Sequence, residues 1–167
     1  WIGEVVRRAI AEQIDPVTEA ALFVADHAAH LEKIIRPALA DNRLVISDRY
    51  SDSRYAYQSV TLEGVIPDPE GWLRAIHSAW SIRPDRTFLF VLPVKEALSR
   101  LKPQDEREHF EKQEVLEKVQ NNYLKFALKD PSRFILVDAM KEKDEIALFV
   151  ADAIRQILPL SQSRRRR

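Results

Sequence analysis

"LVISDRYSDSRYAYQS", residues 44–59, runs from three apolar residues, Leu44-Val45-Ile46, straight into a stretch crowded with acids, two arginines and three tyrosines. A short, continuously apolar run reads as a strand covered on both faces, Leu44–Ser47, the kind that a parallel sheet holds between helical layers. Ligands of such sheets bind outside the carboxyl ends of the strands, and Asp48-Arg49-Tyr50 stands at that end. Arg49 offers a planar five-donor fork suited to phosphate, and Asp48 is a carboxylate able to hold a metal ion or order its waters. From position alone, a structural ion pair capping the strand is an equally open reading.

Working outward, Thr87–Leu92 and Phe134–Val137 are further continuous apolar runs, and helical patterns separate the three. Ile2, Val5, Val6, Ile10 and Ile14 follow helix spacing. Asp15-Pro16 reads as an N-cap with proline in the first helical position, opening a long helix through Leu22, Phe23 and Ile34 that Pro37 should kink or end. Trp72, Leu73, Ile76 and Trp80 form another stripe, as do Leu116, Val119, Tyr123 and Phe126, and Ile146, Phe149, Val150 and Ile157 mark a C-terminal helix. Helix alternating with buried strand implies an α/β domain with a parallel sheet flanked by helices and right-handed crossovers. One domain over residues 1–160 is expected, with a disordered basic tail over 161–167.

Composition narrows the class. The 167 residues suffice for one domain with a real core, and 46% hydrophobic with 31% charged residues is a globular balance. No apolar run approaches the ~18 residues of a membrane span, and cysteine is absent, which removes disulfides and thiolate chemistry and points to the cytoplasm. Lysine plus arginine and aspartate plus glutamate both number 26; four of the basic residues are Arg164–Arg167, so the remainder is four charges negative and a poor general nucleic-acid binder. The chain opens on Trp1 and holds only Gly3, Gly64 and Gly71, so no glycine-rich phosphate loop lies within it.

Asp48-Arg49-Tyr50 followed by Ala56-Tyr57-Gln58 resembles the thymidylate kinase family of P-loop nucleoside monophosphate kinases, and its archaeal members above all. Glu19-Ala20-Ala21-Leu22-Phe23-Val24-Ala25-Asp26 is similar to that family's E-A-x-L-F-x-A-D helix, and Ile35-Arg36-Pro37-Ala38-Leu39 to the segment before its DRY strand. The resemblance implies a three-layer P-loop kinase-like fold and transfer of the γ-phosphoryl group of ATP to dTMP with Mg2+, giving dTDP and ADP, in a homodimer. It implies that Arg49 grips the acceptor phosphate and that Asp48 helps place the magnesium. Tyr57 and Gln58 would line the thymidine pocket, with Ser53 and Arg54 ordering the same loop. Phe23 would stack on thymine. In residues 100–112, "RLKPQDEREHFEK", the resemblance implies a mobile lid in which Arg100, Lys102 and Arg107 close over the ATP phosphates. Asp138, in Val137-Asp138-Ala139, would lie beside adenine.

The chain departs from the family in three places. His27 stands where the family usually carries an arginine that donates to the base; a histidine is shorter and need not be charged near neutral pH, which implies looser base discrimination. Val91 stands where an aspartate is common. The opening strand and GxxxxGK[ST] loop that would cradle ATP are absent, and some forty upstream residues carrying them are expected. Two rival readings stay open: a catalytically inactive nucleotide-binding module, and a kinase for another deoxynucleoside monophosphate.

Overall fold

The computed structural model describes residues 1–100 and 112–164, with side chains described as far as residue 158. Helix α1 (Ile2–Glu12) buries Val6 and Ala9 against the next helix and stops where Gln13 turns left-handed at φ 50°. Helix α2 (Pro16–His30) begins as the sequence suggests, the Asp15 carboxylate accepting from the Thr18 N–H at 2.9 Å with Pro16 in the first turn. Pro37 does not end the helical run at once: a wider π turn, Leu31–Ile35, precedes it, and α3 (Arg36–Ala40) carries the run through the proline to Ala40.

Helix α4 (Ser51–Thr61) and α5 (Pro69–Ser78) follow. The cap of α5 shapes its first turn: Asp68 accepts from the Gly71 N–H at 3.0 Å, and a Cβ at Gly71 would stand 2.1 Å from the Asp68 carboxylate, so a larger residue there would push the capping side chain aside. Then come β1 (Thr87–Val91), α6 (Val94–Ser99), α7 (Gln113–Lys129), β2 (Phe134–Asp138) and α8 (Lys143–Arg164). The strands pair in parallel, Thr87 opposite Phe134 and Val91 opposite Asp138. Helices alternating with a parallel sheet make this the expected α/β class.

The core is where α4, α5 and α7 meet the sheet: Leu62, Leu73, Val119, Phe126 and Phe134 are nearly solvent-free. Each such side chain contributes roughly 1.5–3 kcal/mol through burial. Trp72 packs against this cluster and Trp80 stacks on His77, so both tryptophans of the α5 region are used internally.

Two expectations need correction. Leu44–Ser47 is extended but pairs with no strand among the described residues, and Leu44 and Ile46 are 59% and 77% exposed. A strand exists only through its ladder partner; here the segment borders a cavity of about 1820 Å3 whose lining also includes Phe88 and Phe90 of β1 and Val150 and Ile154 of α8. The C-terminal stretch is the second. Helix α8 continues through Arg164, so the first part of the expected tail is helical, extending an already nucleated helix at little cost; the last three arginines lie outside the described residues. No helix among the described residues is long and apolar enough to cross a membrane.

Candidate active site

The stretch that follows residue 47 turns sharply into α4, and the turn is made at Arg49, whose φ of 64° places a non-glycine residue in the left-handed region. Such backbone costs of order 1 kcal/mol and persists where surrounding structure holds it. Here the Ser47 hydroxyl donates to the Arg49 carbonyl at 2.8 Å. The result is that the Arg49 side chain folds back over the first turns of α4. Its Nε–H donates to Ser53 Oγ at 3.3 Å, and its guanidinium carbon lies 4.3 Å from the centre of the Tyr57 ring. Both partners lie one helical turn apart on the same face.

Ser53 is also held from α7. Its hydroxyl and that of Tyr123 are 2.6 Å apart, and the Tyr57 and Tyr123 rings meet edge to face at 6.4 Å. Burial pushes the Tyr123 hydroxyl pKa up, partly offset by its bond to Ser53 and by the Arg49 charge, so the phenol stays protonated. Arg49, Ser53, Tyr57 and Tyr123 thus form one cluster. Asp48 borders the same cavity with them, solvent-exposed, and among the described residues no side chain pairs with its carboxylate.

A second cluster lies between α2 and α4. The Arg54 guanidinium sits 4.4 Å from the centre of the Phe23 ring, and its Nε–H is buried without an acceptor. Burial, then the Arg49 charge, lowers the Arg54 pKa, with Asp26 pulling the other way. Gln58, one turn further along α4, is only 2% exposed and its Oε1 has no partner.

His27 is in a different setting. It is 3% exposed, its Nε2 bonds to Ser81 Oγ at 3.0 Å, and its ring packs against Tyr50, His77 and Trp80 at centroid distances of 4.4, 5.3 and 5.3 Å. Burial, then His77, Arg54 and His30, bring its pKa down to about 4. This imidazole is neutral at pH 7 and engaged in packing.

Of the residues assigned to the ATP side, Arg100 and Asp138 come together near the carboxyl ends of the strands. Arg100 donates from Nε to Glu96 at 2.9 Å and from Nη1 to the Ala139 carbonyl at 3.0 Å. Asp138 accepts from the Met140 N–H at 2.9 Å. Val91 faces Asp138 in the ladder, and its carbonyl accepts from the Ala139 N–H at 3.0 Å. Lys102 and Arg107 lie outside the described residues. Among the described residues no group of three or more potential ligands converges on a metal position.

The sequence reading missed Tyr123, taken as one more member of an apolar helix stripe. Its polar tip among Leu116, Val119 and Phe126 is the signal that could have marked it. It also gave Arg54 only a loop-ordering role, whereas the side chain covers Phe23.

The family model described as thymidylate kinase matches residues 1–150. The chain is 64% identical over 155 residues to the probable thymidylate kinase of Methanoculleus marisnigri, across 93% of this chain and 76% of that protein. It is 54% identical over 155 residues to the probable thymidylate kinase of Methanospirillum hungatei, across 93% and 75%. With the probable thymidylate kinase of Methanocorpusculum labreanum the identity is 50% over 156 residues, across 93% and 79%.

Proposed function

Because the chain belongs to the thymidylate kinase family, we propose that it transfers the γ-phosphoryl group of ATP to dTMP, giving dTDP and ADP. The observation that carries this reading is the cluster of Arg49, Ser53, Tyr57 and Tyr123 around the left-handed turn into α4. Phosphoryl transfer asks for positioning and charge neutralisation more than covalent chemistry, and no side-chain nucleophile is required. Arg49 binds the acceptor phosphate as a charge-assisted fork, oriented by Ser53 and by stacking on Tyr57. Tyr123 fixes Ser53 and so indirectly fixes Arg49. Phe23 and Gln58 flank the nucleoside on the α2 side.

Magnesium, when bound, offsets the charge of the phosphates and orders them. Asp48 suits it: an exposed carboxylate with no side-chain partner among the described residues is a hard oxygen ligand, and this cation usually takes one or two carboxylates with waters and phosphates rather than a protein cage. Arg100 and Asp138 serve the ATP side, with Lys102 and Arg107 closing over its phosphates. We place the enzyme in the cytoplasm, acting as a homodimer.

A coupled assay of ADP release from full-length protein, ATP, magnesium and dTMP tests the reading. ADP formation that depends on dTMP and stops in Arg49→Ala is expected. Protein that binds dTMP yet never releases ADP would overturn it.

A further inference from the structure

Three consecutive polar residues open α4, and all of them are buried: Ser51 at 6% exposure, Asp52 at 7% and Ser53 at 4%. Buried polar groups need their hydrogen bonds met inside the protein. Ser53 is met from α7, by the Tyr123 hydroxyl at 2.6 Å. Asp52 is met from the sheet. Arg133 donates to both of its carboxylate oxygens, at 2.5 and 3.0 Å, and the Thr87 hydroxyl donates to one of them at 3.2 Å.

The arginine is itself fixed. Its Nε–H donates to Asp130 at 2.8 Å, and its guanidinium carbon stands 4.3 Å from the centre of the buried Phe134 ring. Asp52 and Ser53 differ by about 100° around the helix axis, so the two ties hold the first turn of α4 from different directions. One tie would leave the helix free to turn about it; two set its rotation. Arg49 depends on that rotation. The left-handed turn at φ 64° leads directly into α4, and the Arg49 side chain rests on Ser53 at 3.3 Å and on the Tyr57 ring at 4.3 Å.

Stability alone gives no reason for a charged pair here. An apolar pair of similar volume is often as stable at a buried position, and what a two-pronged ion pair adds is a defined geometry. We propose that Arg133 is a positioning residue for the acceptor phosphate: through its fork on Asp52 it sets the rotation of α4 and so aims Arg49. It touches no substrate, and its effect passes through Asp52 and Ser53. A binding group displaced by about 1 Å can cost on the order of a hundredfold in rate, so a helix turned slightly on the sheet is enough to matter. Arg100 and Asp138, assigned to ATP, are bonded to Glu96, Ala139 and Met140 rather than to this network, and ATP binding should not feel the loss. The assignment rests on the acceptor site proposed above.

The test compares full-length wild type with Arg133→Met and with the double variant Arg133→Met, Asp52→Leu, reading the KM for dTMP, the KM for ATP and the melting temperature of each. Arg133→Met is expected to lower the melting temperature and to raise the KM for dTMP roughly tenfold or more, with the KM for ATP little changed. In the double variant no charge is left buried alone, so the melting temperature should climb back toward wild type while the KM for dTMP stays raised. Calorimetric titration of dTMP should show the same split. Arg133→Lys keeps the charge but gives up the fork, and its KM for dTMP should fall between those of wild type and Arg133→Met. Should Arg133→Met fail to fold, the double variant and Arg133→Lys decide the matter. A KM for dTMP that recovers together with the melting temperature, or that never rises in a folded variant, overturns this inference and leaves the proposed function standing, since the pair would then only hold the fold together. Wild type that does not turn over dTMP overturns the proposed function and this inference with it.

Discussion

Arg133, just before β2, grips the Asp52 carboxylate with both terminal nitrogens, at 2.5 and 3.0 Å, and so ties the first turn of α4 to the sheet. Both side chains are about nine-tenths buried, at 11% and 9% exposure. Arg133 also donates to Thr87 Oγ1 at 2.7 Å and to Asp130 at 2.8 Å, and with Arg83 it holds the Asp130 carboxyl down at about 2. Removing one member of such a pair strands the other without water, at a cost of about 3–5 kcal/mol. Arg133→Met should lower the stability measured by urea denaturation at pH 7 by that amount. Adding Asp52→Leu should recover part of it, since the orphaned charge is then gone. A double variant no better than the single would contradict this account.

Arg49 offers a test that separates binding from scaffold. Glycine relieves the left-handed backbone at φ 64° while adding freedom to the unfolded chain, and these effects nearly cancel. Arg49→Gly should keep its stability within about 1 kcal/mol of wild type. It should lose about 2–5 kcal/mol of dTMP affinity, as expected for a desolvated phosphate contact. Calorimetric titration reads the affinity, and equal affinities would remove Arg49 from the acceptor site.

Tyr123→Phe deletes one hydroxyl and keeps the ring. Ser53 loses its partner at 2.6 Å, and Arg49 then rests on a looser support. A net loss of about 1 kcal/mol is expected, read as a several-fold rise in KM for dTMP with kcat and the KM for ATP little changed. A fall in kcat alone would assign the phenol to the chemical step instead.

The box around His27 predicts an acid-sensitive fold. With a folded pKa of about 4 against an unfolded value of 6.5, the unfolded chain binds the extra proton between those pH values. Stability is therefore full above pH 6.5 and falls as the pH drops toward 4, by on the order of 3 kcal/mol from this residue. The groups facing the ring are Tyr50, His77, Trp80 and Ser81, with Arg54 and His30 repelling any charge on it. His77, pushed down by its own burial, adds to the trend. Urea denaturation from pH 4 to 7.5 should show the slope, and His27→Gln should flatten it. An identical slope in the variant would place the sensitivity elsewhere.

Local signals carried much of this molecule. Asp15-Pro16 gave the start of α2, the apolar runs gave β1 and β2, and Asp48 to Gln58 held Arg49, Ser53 and Tyr57, which the structure gathers at the turn into α4. What failed was whatever depends on partners distant in the chain. Leu44–Ser47 has strand chemistry, yet a strand needs a ladder, and composition cannot say whether a neighbour is at hand. His27 has the same side chain in a pocket or in a core, and only the arrival of His77, Trp80 and Ser81, fifty or more residues later, decides between them. Asp52 looked like one more acid in a polar loop because Arg133 is 81 residues away.

The wide turn at Leu31–Ile35 has a consequence for angular phase. Trp80 is met from both sides of it: the His27 ring lies 5.3 Å from its own, and Arg36 Nη2 donates to its carbonyl at 2.9 Å. Residues nine apart on a uniform α-helix differ by about half a revolution and point to opposite sides. One i→i+5 turn absorbs an extra residue and withdraws roughly 100° of rotation, which brings both side chains round toward the same tryptophan. Deleting a single residue between 31 and 35 would therefore detach either His27 or Arg36 from Trp80 without altering either side chain.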